Sequence, residues 1–328
     1  MLPRIHVLAT GGTISARGGT TTQMTGYTVG LLGVQDIIGA VQEVTRYADI
    51  TGEQVTNVES SSLTHALWLR LVRRINVLLA SPDVDGVVIT HGTSTIEETG
   101  YFLNLTVKSN KPVVLTGAMR PAFAISADGP INLLNAVRLA ASREAMGKGI
   151  LVALNDQING SREVTKTNTM ATDTFKAPEL GLFGYMQEGR PYFFRQSTRR
   201  HTVNSEFDIA DIVEFPRVDI IYGHVNDDTV HIDAAIAAGA RGLVVAAPGH
   251  GSMSDATKAG LIAAQQKGAV IVKGSRCGNG MVTRIAEDDS NHFIAAGSLN
   301  PQKARILLML ALTKKNDLLE IQRIFDEY

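Results

Sequence analysis

Short, near-continuous apolar runs alternate with helical patterns along this chain, and that alternation limits the fold more than any other feature. The runs at residues 5–9, 86–90, 112–116 and 149–154 read as strands buried on both faces. Between them, Leu67, Leu71, Ile75 and Leu78 recur at helical spacing, which predicts an amphipathic helix over 64–79. Further helical patterns cover 95–107 and 128–146. Such strands, separated by helices, belong to a parallel sheet covered on both sides. Over 188–207 the pattern breaks into a polar, Arg-rich stretch. It then resumes, with strands at 218–222, 242–246 and 270–273 and helices starting near Asp233, Asp255 and Pro301. At 328 residues the chain is too long for one ordinary core. The expectation is an α/β protein with a larger N-terminal parallel-sheet domain over 1–190, a linker over 191–212 and a smaller C-terminal α/β domain over 213–328.

Composition narrows the function classes. The formal net charge is -1 and no long basic run occurs, so nothing invites nucleic acid or an anionic membrane. No apolar stretch is long enough to span a bilayer. The single cysteine, Cys277, excludes an intramolecular disulfide and a cysteine-rich metal site. It is expected as a small buried or interfacial side chain. The histidines are scattered, with no pair at metal-ligand spacing beside a carboxylate, so no metal is expected. His91 reads as a hydrogen-bonded structural residue and Trp68 as packing. The chain enters a strand at once after Met1, with no signal peptide in view. With the lack of disulfides this favours the cytoplasm over the periplasm.

Ligands of open parallel α/β sheets sit beyond the carboxyl ends of the strands. Two Thr-rich loops fall there: Ala9-Thr-Gly-Gly-Thr-Ile-Ser15 and Thr90-His-Gly-Thr-Ser-Thr-Ile-Glu-Glu-Thr99. Each has glycine where the backbone must bend or approach a ligand, and each offers hydroxyls and N–H groups. Either one alone is as consistent with a phosphate cradle or a plain turn. Neither carries the P-loop lysine or the dinucleotide-binding glycine spacing. A hydroxyl nucleophile needs a base or a lowered pKa. Tyr27, in Tyr27-Thr-Val-Gly30, and Lys166, in Val164-Thr-Lys-Thr-Asn168, are the candidate activators, although a lysine among small polar residues is commonly just solvated.

Taken together, these segments resemble the bacterial L-asparaginase/glutaminase family, type II group, over essentially the whole chain. Ala9-Thr-Gly-Gly-Thr-Ile14 matches one family signature, and Thr90-His-Gly-Thr93 with Glu97-Glu-Thr99 matches the other. Thr116-Gly-Ala-Met-Arg-Pro121, Ser126-Ala-Asp-Gly-Pro130, Thr165-Lys-Thr-Asn168 and Leu299-Asn-Pro301 match in order. The resemblance implies an asparaginase-like fold and a cofactor-free amidohydrolase acting on a small amide. In it Thr13 attacks the side-chain amide carbonyl, and Tyr27, on a mobile lid, helps move the proton. Thr93 and Lys166 form a second catalytic set, acting on water or assisting acyl transfer. The backbone at Thr93 and Ala118 lies close to the reacting amide, and Ser60 holds the substrate α-carboxylate. The resemblance also implies a homotetramer built as a dimer of intimate dimers. The partner's C-terminal domain would then contribute Ser252, in Gly249-His-Gly-Ser252, and Glu287.

The departures cluster at the amino-acid-recognition end of the implied pocket. Ser94 stands where the family has an Asp that binds the α-ammonium. Ser61 replaces Gln or Glu, Ser62 replaces Asp, and Glu59 replaces Gly. Ser94-Thr-Ile-Glu97 reads as a capping box, a role serine and aspartate fill about equally. The electrostatics differ, because a helix N-terminus repels an ammonium and only Asp reverses that sign. Losing one charge-assisted hydrogen bond costs roughly 1.5–3 kcal/mol, or ten- to a hundredfold in binding. The expectation is a weakened preference for free L-asparagine, unless Glu59 supplies the missing carboxylate. Two rival readings follow: an amidase for an ω-amide lacking a free α-amino group, and a non-catalytic carboxylate-binding protein.

Overall fold

The computed structural model describes residues 1–314 and 317–328, which fall into two compact units, Met1–Ala210 and Asp211–Tyr328. The first unit contains β1 (Arg4–Gly11), β2 (Asp49–Val58), β3 (Gly86–Thr90), β4 (Val113–Thr116) and β5 (Ile150–Leu154). It continues with β6 (Gln157–Gly160), β7 (Thr165–Lys166), β8 (Phe175–Lys176), β9 (Gly184–Gln187) and β10 (Arg190–Phe193). Its helices are α1 (Val34–Gly39), α2 (His65–Ala80), α3 (Ile96–Thr106) and α4 (Gly129–Ala140). One sheet runs β10-β9-β6-β5-β4-β3-β1-β2, while β7 and β8 pair separately. β2, β1, β3, β4 and β5 are mutually parallel, and β6, β9 and β10 join antiparallel.

Every residue of β3, β4 and β5 is buried, as their continuous apolar runs require. On one face Val88, Val114 and Leu151 pack with Leu133, Ala136, Val137 and Ala140 of α4. On the other, Gly100 of α3 lies against Val152, so α3 is buried nearly along its length. Each fully buried Val, Leu or Ile contributes ~1.5–3 kcal/mol relative to exposure, which makes these two layers the core of the unit.

Two expectations change in this unit. Residues 191–193 of the segment expected as a linker over 191–212 instead belong to β10, which returns on β9 at the sheet edge through Glu188 and Gly189, both at positive φ, and the first unit extends to Ala210. A two-residue turn with positive φ at both positions matches strand twist, and Glu-Gly hides that signal better than Asn-Gly would. The Asn155-Asp156 turn between β5 and β6 is of the same kind. The helix expected over 128–146 stops at Ala140, and Ser142 then caps a separate turn over Arg143–Ala145.

The second unit holds β11 (Val218–Tyr222), β12 (Gly242–Ala247), β13 (Val270–Ser275) and β14 (Ile294–Ala295), parallel and in that order. Its helices are α5 (Val230–Ala237), α6 (Asp255–Gln266), α7 (Ala286–Asn291), α8 (Pro301–Ala311) and α9 (Leu318–Glu327). Ile232 and Ala235 of α5 and Leu261 and Ala264 of α6 cover one face with Leu243, Val245 and Ile271. Gly242 lets Leu308 of α8 close on the other. Side chains cap three of these helices: Ser254 accepts from Thr257 N–H, Asn300 accepts from Lys303 N–H ahead of Pro301, and Asp317 accepts from Leu319 and Glu320 N–H. Cys277, expected buried or interfacial, is not buried within the unit: it lies in the exposed stretch over 276–281 that follows β13.

Candidate active site

The loops that follow β1, β2, β3 and β4 leave from the same sheet edge, and glycine brings their backbones together. A Cβ added to Gly12 would lie 2.3 Å from Gly92 Cα; one on Gly92 would lie 2.8 Å from Ser60 Cβ; one on Gly117 would lie 2.5 Å from His91 O. No side chain fits at any of these contacts. Gly12 also has φ 84° and ψ -172°, a region essentially reserved for glycine. The Gly12–Gly92 contact sets the next residues, Thr13 and Thr93, on neighbouring loops.

Each threonine has its own polar partner. Thr13 Oγ1 lies 2.9 Å from Tyr27 OH. Tyr27 belongs to the stretch over 17–30, pinned at its ends by an Arg17–Thr28 bridge and by Gly30 N–H donating to Ser15 Oγ at 3.1 Å. This stretch lies on the loop after β4: the Tyr27 and Phe123 rings meet edge to face at 6.1 Å, and Ile125 N–H donates to Thr21 O at 2.9 Å. Lys166 Nζ, in turn, donates to Thr93 Oγ1 at 2.9 Å. Burial pulls the Lys166 amine below its ordinary pKa, and the neighbouring Glu97 carboxylate opposes part of that pull. A neutral lysine can take a proton from the hydroxyl it faces.

Buried hydrogen bonds hold this arrangement from behind. Trp68 Nε1–H donates to Thr99 Oγ1, which stands 2.9 Å from His91 Nε2; His91 Nδ1 stands 2.7 Å from Gly92 O. A carbonyl only accepts, so Nδ1 carries the proton and Nε2 receives the Thr99 hydroxyl. This wiring fixes a neutral imidazole, and complete burial lowers its pKa to about 4. His91 and Trp68 are thus structural, as expected. Asp128 accepts N–H groups of Met119 and Arg120, and Asn132 Nδ2 donates to Gly117 O at 3.0 Å, which shapes the loop carrying the buried Ala118. Glu97, Phe123, Asp128 and Asn132 were not among the expected site residues. Glu97 and Asp128 both lay in matched motifs, but only the fold shows what they touch.

Ser60 is buried, with its hydroxyl accepting Thr95 N–H at 3.3 Å and its carbonyl accepting Thr95 Oγ1–H at 2.9 Å. This overturns the Ser94 capping box. Thr95 is the N-cap of α3, its own side chain makes no cap hydrogen bond, and Ser60 satisfies its N–H from a different loop. Ser94, Glu59 and Ser61 are exposed. Ser252 and Glu287 lie in the second unit, where both line a cleft of ≈ 240 Å³ and Glu287 pairs with Lys258 at 2.5 Å. Among the described residues no group of three or more His, Cys, Asp or Glu is placed to hold a metal ion, and no helix is long and apolar enough to cross a membrane.

Known proteins match this chain end to end. Residues 4–199 match the asparaginase N-terminal family and residues 217–325 the glutaminase/asparaginase C-terminal domain. L-asparaginase 2 of Bacillus subtilis is 53% identical over 327 residues, covering 100% of this chain and 87% of the relative. L-asparaginase 2 of Escherichia coli is 44% identical over 329 residues, covering 100% and 94%. The crystal structure of a probable cytoplasmic L-asparaginase from Campylobacter jejuni superposes with a TM-score of 0.97 at 46% identity, covering 99% of this chain and 100% of that one.

Proposed function

Because the chain belongs to the asparaginase family, we propose that it hydrolyses the side-chain amide of L-asparagine to aspartate and ammonia. The observation that carries this is the pair of threonines on loops in backbone contact, each with its own proton partner, Tyr27 for Thr13 and Lys166 for Thr93. Thr13 Oγ1 attacks the amide carbon while its proton passes through Tyr27 OH. Donors on the loops after β3 and β4 stabilise the developing oxyanion. Collapse of the tetrahedral species, with a proton delivered to nitrogen, releases ammonia and leaves an ester on Thr13. Thr93 and Lys166 then draw a proton from water, which cleaves the ester and frees Thr13. Ser60 takes the α-carboxylate, and Ser252 and Glu287 of a neighbouring copy complete the site in a homotetramer. Sedimentation or native mass spectrometry checks that assembly. We place the protein in the cytoplasm, a reading that cell fractionation tests.

The exposed Ser94 hydroxyl favours a second reading, in which the preferred substrate is an ω-amide without a free α-amino group. One assay separates the two: ammonia release from L-asparagine, N-acetyl-L-asparagine and succinamate, beside a Thr13→Ala control. Efficient, Thr13-dependent release from L-asparagine supports the first reading and dismisses the second. Release mainly from the other two amides supports the second and dismisses the first, and binding without release leaves a carboxylate-binding protein. Under the second reading Ser94→Asp improves kcat/KM for L-asparagine by about ten- to a hundredfold; an unchanged value counts against it.

A further inference from the structure

The cleft that carries Ser252 and Glu287 also contains an ion pair that no step of the reaction uses. Lys273 and Asp288 bond to each other with side chains only 3% and 4% exposed. Desolvating two charges largely cancels their attraction, and apolar replacements of such pairs are often no less stable. A pair of this kind is therefore a weak stabiliser and a good ruler, because it fixes a separation and a direction. What it touches on each side gives the ruler its ends.

On one side is the turn before Ser252. A Cβ on Gly251 would lie 2.7, 2.8 and 3.2 Å from Lys273 Cγ, Cδ and Cε, so the backbone at Gly251 rests directly on the lysine stem. Gly251 and Ser252 both donate N–H to Pro248 O, at 3.2 and 2.9 Å, which makes Ser252 the rigid continuation of that turn. On the other side is the start of α7. Asp288 Oδ2 receives Lys273 Nζ and also Ile285 N–H at 2.9 Å, locking the first turn of the helix on which Glu287 is the preceding residue. Phe293 N–H closes back on Asp288 O at 2.9 Å. Ser252 is thus one residue from a backbone seated on Lys273, and Glu287 is one residue from Asp288. All four side chains line the same cleft.

We infer that Lys273 and Asp288 are positioning residues that set the spacing between Ser252 and Glu287, and through it the fit of the amino-acid end of the substrate. The inference rests on the reading that Ser252 and Glu287 contact substrate. Its test compares kcat and KM for L-asparagine in the full-length enzyme and in five variants. Ser252→Ala and Glu287→Gln probe the contacts. The Lys273→Met/Asp288→Leu double variant replaces the pair by apolar side chains, Asp288→Asn removes its charge with the least change of shape, and Lys273→Arg keeps it. A positioning role predicts KM raised about tenfold in the double variant and in Asp288→Asn, kcat within about twofold, and near-native KM in Lys273→Arg. Should the double variant not fold, Asp288→Asn carries the test alone. Native KM in Asp288→Asn, beside raised KM in Ser252→Ala or Glu287→Gln, overturns the inference and leaves the contact reading standing. So does a loss of kcat in proportion to unfolded protein at unchanged KM, the mark of a purely structural pair. Native KM in both Ser252→Ala and Glu287→Gln removes the contact reading and the inference with it.

Discussion

The two units hold their candidate groups by opposite means. In the first, Thr13 and Thr93 are set by backbone touching backbone at Gly12, Gly92 and Gly117, where no side chain fits. In the second, Ser252 and Glu287 are set by side-chain charge: the buried Lys273–Asp288 pair, with Lys258 beside Glu287. A glycine contact admits one geometry and no substitution. An ion pair admits several partners of similar length. Under the proposed function the first unit holds the bond-breaking atoms together with Ser60 and Ser94 at the recognition end, and the second adds Ser252 and Glu287. Glu59, Ser61, Ser62 and Ser94 are exposed and flank the glycine-packed residues Ser60 and Thr93.

The comparison breaks most visibly at the nucleophile. Thr13→Ala should lower kcat by at least ~10³-fold with unchanged circular dichroism and Tm, since it removes a covalent intermediate and no packing. A tenfold loss or less would mean that the chemistry is not centred on Thr13.

Acid should weaken the first unit through His91. Its folded pKa of about 4 lies below the ordinary 6.5, so the unfolded chain takes up the proton first as pH falls. The stability tied to neutral His91 is fully present above pH 6.5 and is lost as pH drops toward 4, an effect of roughly 3 kcal/mol. His6 and His201, also lowered by burial in this unit, act in the same direction. Urea titrations between pH 7 and pH 4.5 check this. In His91→Gln the slope of stability against pH should fall by about one proton.

Next in size is a pair of glycine substitutions. Gly12→Ala meets Gly92 at 2.3 Å in a backbone region that alanine avoids, so the strain alone costs ~1–3 kcal/mol and activity falls with it. Gly278→Ala, in a loop of the second unit with nothing within 4 Å, should stay within ~0.5 kcal/mol of native. Equal tolerance at both positions, by thermal melts and ammonia release, would erase the distinction between the units.

What was legible in the sequence divides along the same line. Parallel strands show as unbroken apolar runs, so β1, β3, β4, β5, β12 and β13 stand where the pattern puts them. The Thr13 and Thr93 loops were legible only through several motifs standing in order, since either loop alone suits a phosphate cradle or a plain turn. β6, β9 and β10 were not, since short antiparallel strands on two-residue turns carry no long pattern, and Glu188-Gly189 is a quiet turn signal. Nor could spacing reveal that Ser60 reaches across to cap Thr95, 35 residues away in the chain. Contacts between loops are made by the sheet that gathers them, and local sequence holds no record of them.

The smallest expected effect sharpens the assignment of roles within the first unit. Glu97 raises the Lys166 pKa against the lowering by burial, so Glu97→Gln should lower it further. If neutral Lys166 is the form that serves Thr93, the acidic limb of kcat moves to lower pH in that variant, by about one unit or less. A shift to higher pH, or none, would detach Lys166 from the rate-limiting proton transfer.

The most direct test of the whole account is to trap the ester. A Lys166→Met enzyme, mixed with L-asparagine, quenched in acid and digested, is analysed by peptide mass spectrometry. Attack by Thr13 with the second step disabled predicts an aspartyl adduct on the peptide containing Thr13, absent from Thr13→Ala/Lys166→Met. An adduct on the Thr93 peptide, or release of ammonia with no covalent species at all, would contradict the division of labour between the two threonines.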